Sequence, residues 1–249
     1  MSEIKNIRLT LQYEGTNYHG WQRQKDDATI QELIEDRLAI MTGKPVTVHA
    51  SGRTDSGVHA LHQVCNFFTE TRLAPETIKN GLNSLLPDDI YILNAEYAAP
   101  DFHSRYSAKS KCYEYRILNT KDVDIFSSRY VWHIKDNLDF QEMKKCLVCI
   151  IGRHDFTAFR SAGTSNVNPV REMIRAELSE RKESGTASFV FEAEGFLKHM
   201  VRNIVGTVVD AGKGRITSSD FKEILDSKDR KRAGIKAPPH GLFLTMVRY

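Results

Sequence analysis

"VTVHASGRTDSGVHALHQVCNFFTE", Val46 to Glu70, reads as strand, loop, strand. Val46 to Ala50 has the β-branched content of an extended segment, and "HQVCNFFTE" supplies a second one. Between them Arg53, Thr54 and Asp55 are flanked by Gly52 and Gly57, which permit backbone angles that other residues resist. A tight loop of this kind holds Asp55 at a strand end. These residues leave two readings open. Asp-Ser-Gly is ordinary turn chemistry, and a carboxylate fixed at a strand end is also a place for catalysis.

Working outward, Ile7, Leu9, Leu11 and Tyr13 alternate with polar residues as in a half-buried strand. A helix is expected from about Ile30, with Thr29 and Glu32 at capping-box spacing and Ile30, Leu33, Ile34, Leu38 and Met41 on one face. Pro75 suits the first turn of a helix ending at Leu85, and "IYILNAEYA" follows as a strand. The second half repeats the pattern. "KCYEYRIL" alternates, with Tyr113, Tyr115 and Ile117 on one side. Asp139 and Glu142 can cap a helix running to about Ile151. "MIRAELSER" and "SFVFEAEGF" read as a strand pair, and helices are expected from about Lys198 to Ala211 and after Ser219. "LFLTMVRY" closes the chain as a strand. The expectation is α+β architecture: two related halves with antiparallel sheets backed by helices, residues 1–105 carrying the Asp55 loop and residues 106–249 forming the second half.

With 249 residues, 41% of them hydrophobic, the chain can build one large core or two modest ones. The charged fraction of 27% and a mean hydropathy of -0.42 suit a protein in water. No apolar run reaches membrane-spanning length, and "MSEIKNIRLTL" lacks a signal-peptide core, so a cytoplasmic location without membrane contact is expected. The "CLVC" at Cys146 to Cys149 lies in an amphipathic pattern without a second close Cys or His pair, so no metal site is expected there.

The net charge is only +3, but the cations are grouped. Arg105, Lys109, Lys111 and Arg116 form one cluster, Lys198, Arg202, Lys213 and Arg215 a second, and "KDRKRAGIK" a third. Each is a solvated face or part of a polyanion groove. In "KHMVRNIVG" the cations fall in an expected first helical turn, where the macrodipole favours negative partners. That arrangement is tolerable on a surface and useful opposite a carboxylate or phosphate; an arginine aimed at a buried Asp keeps it ionised. In "DFHSRYSAKSKCYEYR", Asp101 to Arg116, aromatics interleave with charge. Phe102, Tyr106, Tyr113 and Tyr115 can stack on bases while Arg105 and Lys109 meet phosphates, or the alternating aromatics, Tyr115 first among them, belong to a core.

These residues carry a resemblance. "YEGTNYHGWQRQ", "GRTDSGVHA", "NSLLPDDI", "DFHSRYSAKSKCYEYRI", "DFTAFR", "FLKHMVRNIVG" and "APPHGLFL" occur in the order of the bacterial tRNA pseudouridine synthase A family, over the whole chain. The resemblance implies isomerisation of uridine to pseudouridine at positions 38, 39 and 40 of the tRNA anticodon stem-loop. It implies a catalytic aspartate at Asp55, a nucleotide-displacing arginine at Arg53, an active-site tyrosine at Tyr113 and, near the carboxylate, an arginine at Arg202. Leu242 and Leu244 fall near the apolar side of the base pocket. Phe102, His103, Ser104, Arg105, Tyr106 and Arg160 are the implied RNA contacts. The implied fold joins the sheets of the two halves into one extended sheet with a basic cleft between the halves. Homodimers, with one tRNA contacting both subunits, complete the implied picture.

The chemistry fits without a cofactor. The N1–C1′ bond breaks, the base turns, and C5 joins C1′, so no electrons or groups are exchanged. The base must leave its stack to be reached, which calls for a flipping device and a shaped pocket. Asp55 can attack C1′, attack C6 or abstract the 2′-proton, and another group must take the proton from C5. Two departures stand out. Ser56 replaces the usual alanine, and "SAGTSNVNPVR", Ser161 to Arg171, carries no charge before Arg171, leaving only backbone or amide groups for phosphate. A non-catalytic tRNA-binding or folding chaperone would keep a basic cleft but would not need Asp55, Arg202 and Tyr113 together. A small-substrate hydrolase would not need dispersed basic segments.

Overall fold

The computed structural model describes residues 4–161 and 168–249. The chain divides into two compact units, Met1–Lys109 with Phe243–Tyr249, and Ser110–Leu242. Both are α+β.

The first unit opens with β1 (Lys5–Tyr13), whose Ile7, Leu9, Leu11 and Tyr13 are buried. Asn6 and Thr10 on the opposite face are buried too, so the strand is central rather than half-exposed. The helix α1 (Ile30–Thr42) buries Ile30, Ile34 and Leu38 and ends at Gly43, whose positive φ of 72° is the usual left-handed stop. The expected capping box at its start does not form. Gly20 and Trp21 supply carbonyls to the amides of Ile30 and Gln31 at 3.2 and 3.0 Å, so main chain does the work of a cap. Thr29 is fully buried with its hydroxyl unpartnered, and Glu32 turns to Arg23 at 3.3 Å.

The strand expected before the Gly-flanked loop shortens to β2 (His49–Ala50), and the one after it lengthens to β3 (His59–Thr69). Helix α2 (Pro75–Leu85) and strand β4 (Ile90–Ala98) fall where the sequence places them. β1 lies antiparallel between β3 and β4, with Leu9 opposite Cys65 and Ala95, while α2 packs along β4 and against α1. Between Leu11 and Tyr13 the β1–β3 register slips: Leu11 faces Gln63, but Tyr13 faces Ala60. Such an irregularity re-aims a side chain.

In the second unit the strands are β5 (Ser110–Leu118), β6 (Trp132–His133), β7 (Gly152–Asp155), β8 (Val170–Arg181) and β9 (Thr186–Ala193). They run in the order β5-β9-β8-β7, antiparallel, with β6 parallel to β5. Helix α3 (Phe140–Val148) is capped as expected, Asp139 accepting from the amides of Gln141 and Glu142. Helix α4 (Met200–Gly212) is buried on almost every side, and it packs with α3 and with α5 (Ser218–Ser227). α4 starts two residues later than expected because His199 adopts a left-handed conformation, φ 61°. The chain closes with β10 (Leu242–Arg248), which from Phe243 onward belongs to the first unit and pairs in parallel with β3. The sheets are therefore mixed rather than purely antiparallel. A strand returning after a long excursion, unlike one closing a hairpin, can pair in parallel.

Candidate active site

The Gly52–Gly57 loop is pinned through its backbone. The Trp21 amide donates to the Thr54 carbonyl at 3.1 Å, Val58 to that of Asp55 at 3.1 Å, and Gly57 to that of Tyr18 at 3.3 Å. Ser56, the departure from the usual alanine, uses its hydroxyl to bond the Tyr18 carbonyl at 3.2 Å. Side chains alternate in exposure along the loop: Ser51 and Thr54 are buried, Arg53 and Ser56 exposed, and Asp55 half-buried. Arg53 and Asp55 thus flank one buried anchor.

The sequence assigned no role to the residues that do this pinning. They belong to "YEGTNYHGWQRQ". A Cβ on Gly15 would sit 2.1 Å from the Val58 carbonyl oxygen, and one on Gly20 would sit 2.5 Å from that of Thr54. Gly20 also has φ of +88°. Two glycines in a motif with no regular period are the signal for such a backbone-on-backbone approach.

The 102–106 segment is anchored at its middle. Ser104 is fully buried; its amide donates to the Asn66 side chain at 2.9 Å, its hydroxyl to the His49 carbonyl at 2.7 Å, and its carbonyl accepts from Tyr249 at 2.8 Å. Ser104 therefore holds the segment rather than facing solvent. Phe102 packs on Tyr249 with centroids 5.0 Å apart, and Arg8 lies over both rings. His103 stacks between His49 and Tyr106, at 5.2 and 4.4 Å. Desolvation first and the His49 imidazole second hold the His103 pKa below its usual value. Arg105 lies over the Tyr106 ring, and Tyr106 is 77% exposed. Leu244 is fully buried, opposite Ala60 at the exit of the Asp55 loop.

Tyr113, Arg160, Arg202 and Leu242 belong to the second unit. Tyr113 is buried on β5 and meets Phe196 edge-on at 5.0 Å. Arg202 is only 6% exposed; its Nε donates to the Ala237 carbonyl at 2.8 Å, and its own carbonyl accepts from the Ala237 amide at 3.1 Å. Tyr115, two residues beyond Tyr113, donates to the next carbonyl, Pro238, at 2.8 Å, and burial pushes its phenol pKa up. Where that segment crosses α4, a Cβ on Gly206 would meet the Ile235 carbonyl oxygen at 1.7 Å. Arg160 is half-exposed after a short 3-10 turn, Thr157–Phe159. Leu242 is buried at the start of β10. The uncharged stretch before Arg171, whose contact with RNA the sequence leaves open, falls largely on residues 162–167, outside the described residues.

Four of the grouped cations of this unit have acidic neighbours. Lys213 pairs with Asp136, Arg215 with Asp210, Lys228 with Asp155 and Arg232 with Glu223, at 2.5 to 3.4 Å. Arg230 donates to the carbonyls of Ala233 and Gly234 and to Asn203. Much of "KDRKRAGIK" thus builds the fold. Cys146 is buried in α3, its thiol pushed up to about 12 chiefly by burial. Among the described residues no group of three His, Cys, Asp or Glu is placed to hold a metal ion, and no helix is long and apolar enough to cross a membrane.

A family model described as tRNA pseudouridine synthase matches residues 10–107 and 148–249. A protein of a Thermoanaerobacter species named tRNA pseudouridine synthase A is 44% identical over 246 residues, 99% of this chain and 100% of that one. Its namesake from Acetivibrio thermocellus is 41% identical over the same shares. A Clostridium perfringens protein named tRNA pseudouridine synthase A 2 is 42% identical, again over 99% of this chain and all of that one. With matches spanning both units and the full length of these relatives, the chain belongs to the tRNA pseudouridine synthase family, isomerases that act on uridine in tRNA.

Proposed function

We propose that the protein forms pseudouridine at positions 38, 39 and 40 of the tRNA anticodon stem-loop, as a cytoplasmic homodimer whose tRNA contacts both subunits, with Asp55 as nucleophile. One observation supports this above the rest. The only carboxylate of the Gly52–Gly57 loop is half-buried beside a buried Thr54, on a backbone held from both sides. An ordinary surface turn has no need of such fixation, whereas a nucleophile gains from being held in one direction.

The reaction is redox-neutral and transfers nothing to a third party, so it runs without a cofactor. Arg53 displaces the target nucleotide from its stack. Asp55 attacks an electrophilic carbon of the nucleotide, C1′ or C6, and the N1–C1′ bond breaks. The base turns and bonds through C5 to C1′, the Asp55–carbon bond breaks and frees the carboxylate, Tyr113 takes the proton lost from C5, and a proton gained at N1 balances it. Arg202 assists catalysis as the partner cation. Phe102, His103, Arg105, Tyr106 and Arg160 form the RNA-contacting set, with Ser104 as the buried anchor of that segment, and Leu242 provides apolar surface for the base, the fully buried Leu244 having none to offer. The test is to map pseudouridines in tRNA incubated with the protein or with Asp55→Asn. Signals at 38, 39 and 40 that vanish with Asp55→Asn are expected. Persistence with the variant would return Asp55 to a turn role, and signals elsewhere would overturn the assigned positions.

A further inference from the structure

We propose that the buried hydroxyl of Tyr13 is a positioning group for Asp55, acting through the side chain of Thr54. The proposal rests on the reading of Asp55 as the nucleophile.

By its place in the β1 alternation Tyr13 is a core residue, and its ring does pack in the core, 6.1 Å from that of Trp21. Its hydroxyl does something more. It lies 2.7 Å from the Thr54 hydroxyl, across 41 residues of sequence. The slipped register between Leu11 and Tyr13 places it there.

The surrounding bonds hold it in place. The Gln63 side-chain oxygen accepts from the Ser51 hydroxyl at 2.6 Å and from the Val64 amide at 3.2 Å. The Gln63 side-chain nitrogen donates to the Gly52 carbonyl at 2.9 Å and reaches the Tyr13 oxygen at 3.5 Å, the outer limit of such a bond. Within this network the Tyr13 and Thr54 hydroxyls bond each other, and either can be the donor. Burial raises the phenol pKa, so Tyr13 keeps its proton.

Thr54 is thereby held at both ends, its hydroxyl by Tyr13 and its carbonyl by the Trp21 amide. The carbonyl bond fixes the plane of the 54–55 peptide, and the bond from Val58 to the Asp55 carbonyl fixes the next plane. Two fixed planes set the direction in which the Asp55 side chain leaves the backbone. Tyr13, Ser51, Gln63 and Thr54 are all at most 6% exposed, so water cannot replace a missing partner. Removing the Tyr13 oxygen leaves the Thr54 hydroxyl to find another partner by turning, and the loop follows.

The experiment measures single-turnover conversion of an anticodon stem-loop at saturating protein, with binding curves and thermal midpoints, for Tyr13→Phe, Thr54→Val, Thr54→Ser, the Tyr13→Phe/Thr54→Val double variant and Asp55→Asn. Tyr13→Phe is expected to slow conversion by about 10- to 100-fold, the scale of a small misplacement at a reacting centre. RNA affinity should stay within about twofold, because no RNA contact is removed. Thr54→Val should match it, Thr54→Ser should recover most of the rate, and the double variant should be no slower than the worse single one. A Tyr13→Phe rate equal to wild type, with Asp55→Asn inactive, would overturn the positioning role alone. Additive losses in the double variant, or an affinity that falls as far as the rate, would also overturn it. Conversion by Asp55→Asn would overturn the nucleophile reading and the proposal with it.

Discussion

In the Gly52–Gly57 loop and the Ser51 that leads into it the buried groups are neutral: the Ser51 and Thr54 side chains are buried while Arg53 is exposed and Asp55 half-buried. At the start of α4 the buried group is the charge itself, the Arg202 guanidinium, bonded to the Ala237 carbonyl. Both segments are fixed by hydrogen bonds out of reach of water, but they carry different risks. A loop anchored by hydroxyls, amides and backbone can have its charges changed and still fold. A helix start anchored by a guanidinium cannot lose that charge without losing an anchor. Activity and stability should therefore separate in the first segment and fall together in the second.

The largest expected effect breaks the comparison most directly if it fails. Asp55→Asn should cut single-turnover conversion by about four orders of magnitude or more, as removal of a nucleophile does. The thermal midpoint should stay within about 2 °C, since Asn keeps the size and turn preference of Asp. A midpoint that falls with the rate would show that the Asp55 charge also holds the fold. Arg202→Ala comes next. Loss of a charged donor from the Ala237 carbonyl should cost about 2 kcal/mol, a midpoint lowered by about 4–8 °C in a calorimetric scan, together with a loss of turnover. Lost activity at an unchanged midpoint would remove the contrast between the two segments.

Thr29 sharpens the comparison from the other side. Its hydroxyl is buried with no partner, an exception to the satisfied polar groups around it. Thr29→Val should stabilise the protein by about 1 kcal/mol, read as a higher denaturant midpoint at unchanged slope. The smallest effect concerns an exposed charge. Arg105→Ala should lower the slope of log affinity against log salt by about 0.7 to 0.9, if its guanidinium meets one phosphate. An unchanged slope would mean that Arg105 serves only the Tyr106 ring beneath it.

What could be read from the sequence followed the range of the interactions involved. α2 and β4 depend on local signals, a proline at a first turn and a period of two, and both were legible to the residue. The Asp139 cap was legible for the same reason. The Thr29 cap was misread because its partners are carbonyls of Gly20 and Trp21, outside any i to i+3 pattern. The capping box that does form, Thr217 with Asp220, begins α5 just before the helix expected after Ser219. At the candidate site, the Gly-flanked loop announced Asp55, but Tyr13 was legible only as an apolar position. Periodicity reports which face is buried; it cannot report that a phenol on that face meets a hydroxyl 41 residues away.

The main-chain bonds around the Asp55 loop also bear on how it breathes. The amides of Trp21, Ser51 and Val58 donate to Thr54, Val64 and Asp55, and that of Gly15 to the His59 ring at 2.9 Å. These protons can reach solvent only when the loop comes away from β3 and from the 15–21 segment. In deuterated water they should exchange at the slow pace of the β1–β3 ladder rather than at the pace of a surface turn. A loop that opens so seldom is already shaped when a nucleotide arrives. With Asp55 in the role proposed for it, the rearrangement on binding would fall to the nucleic acid, and the time for which a uridine stands outside its stack, rather than any motion of the Asp55 loop, would be the clock of the encounter.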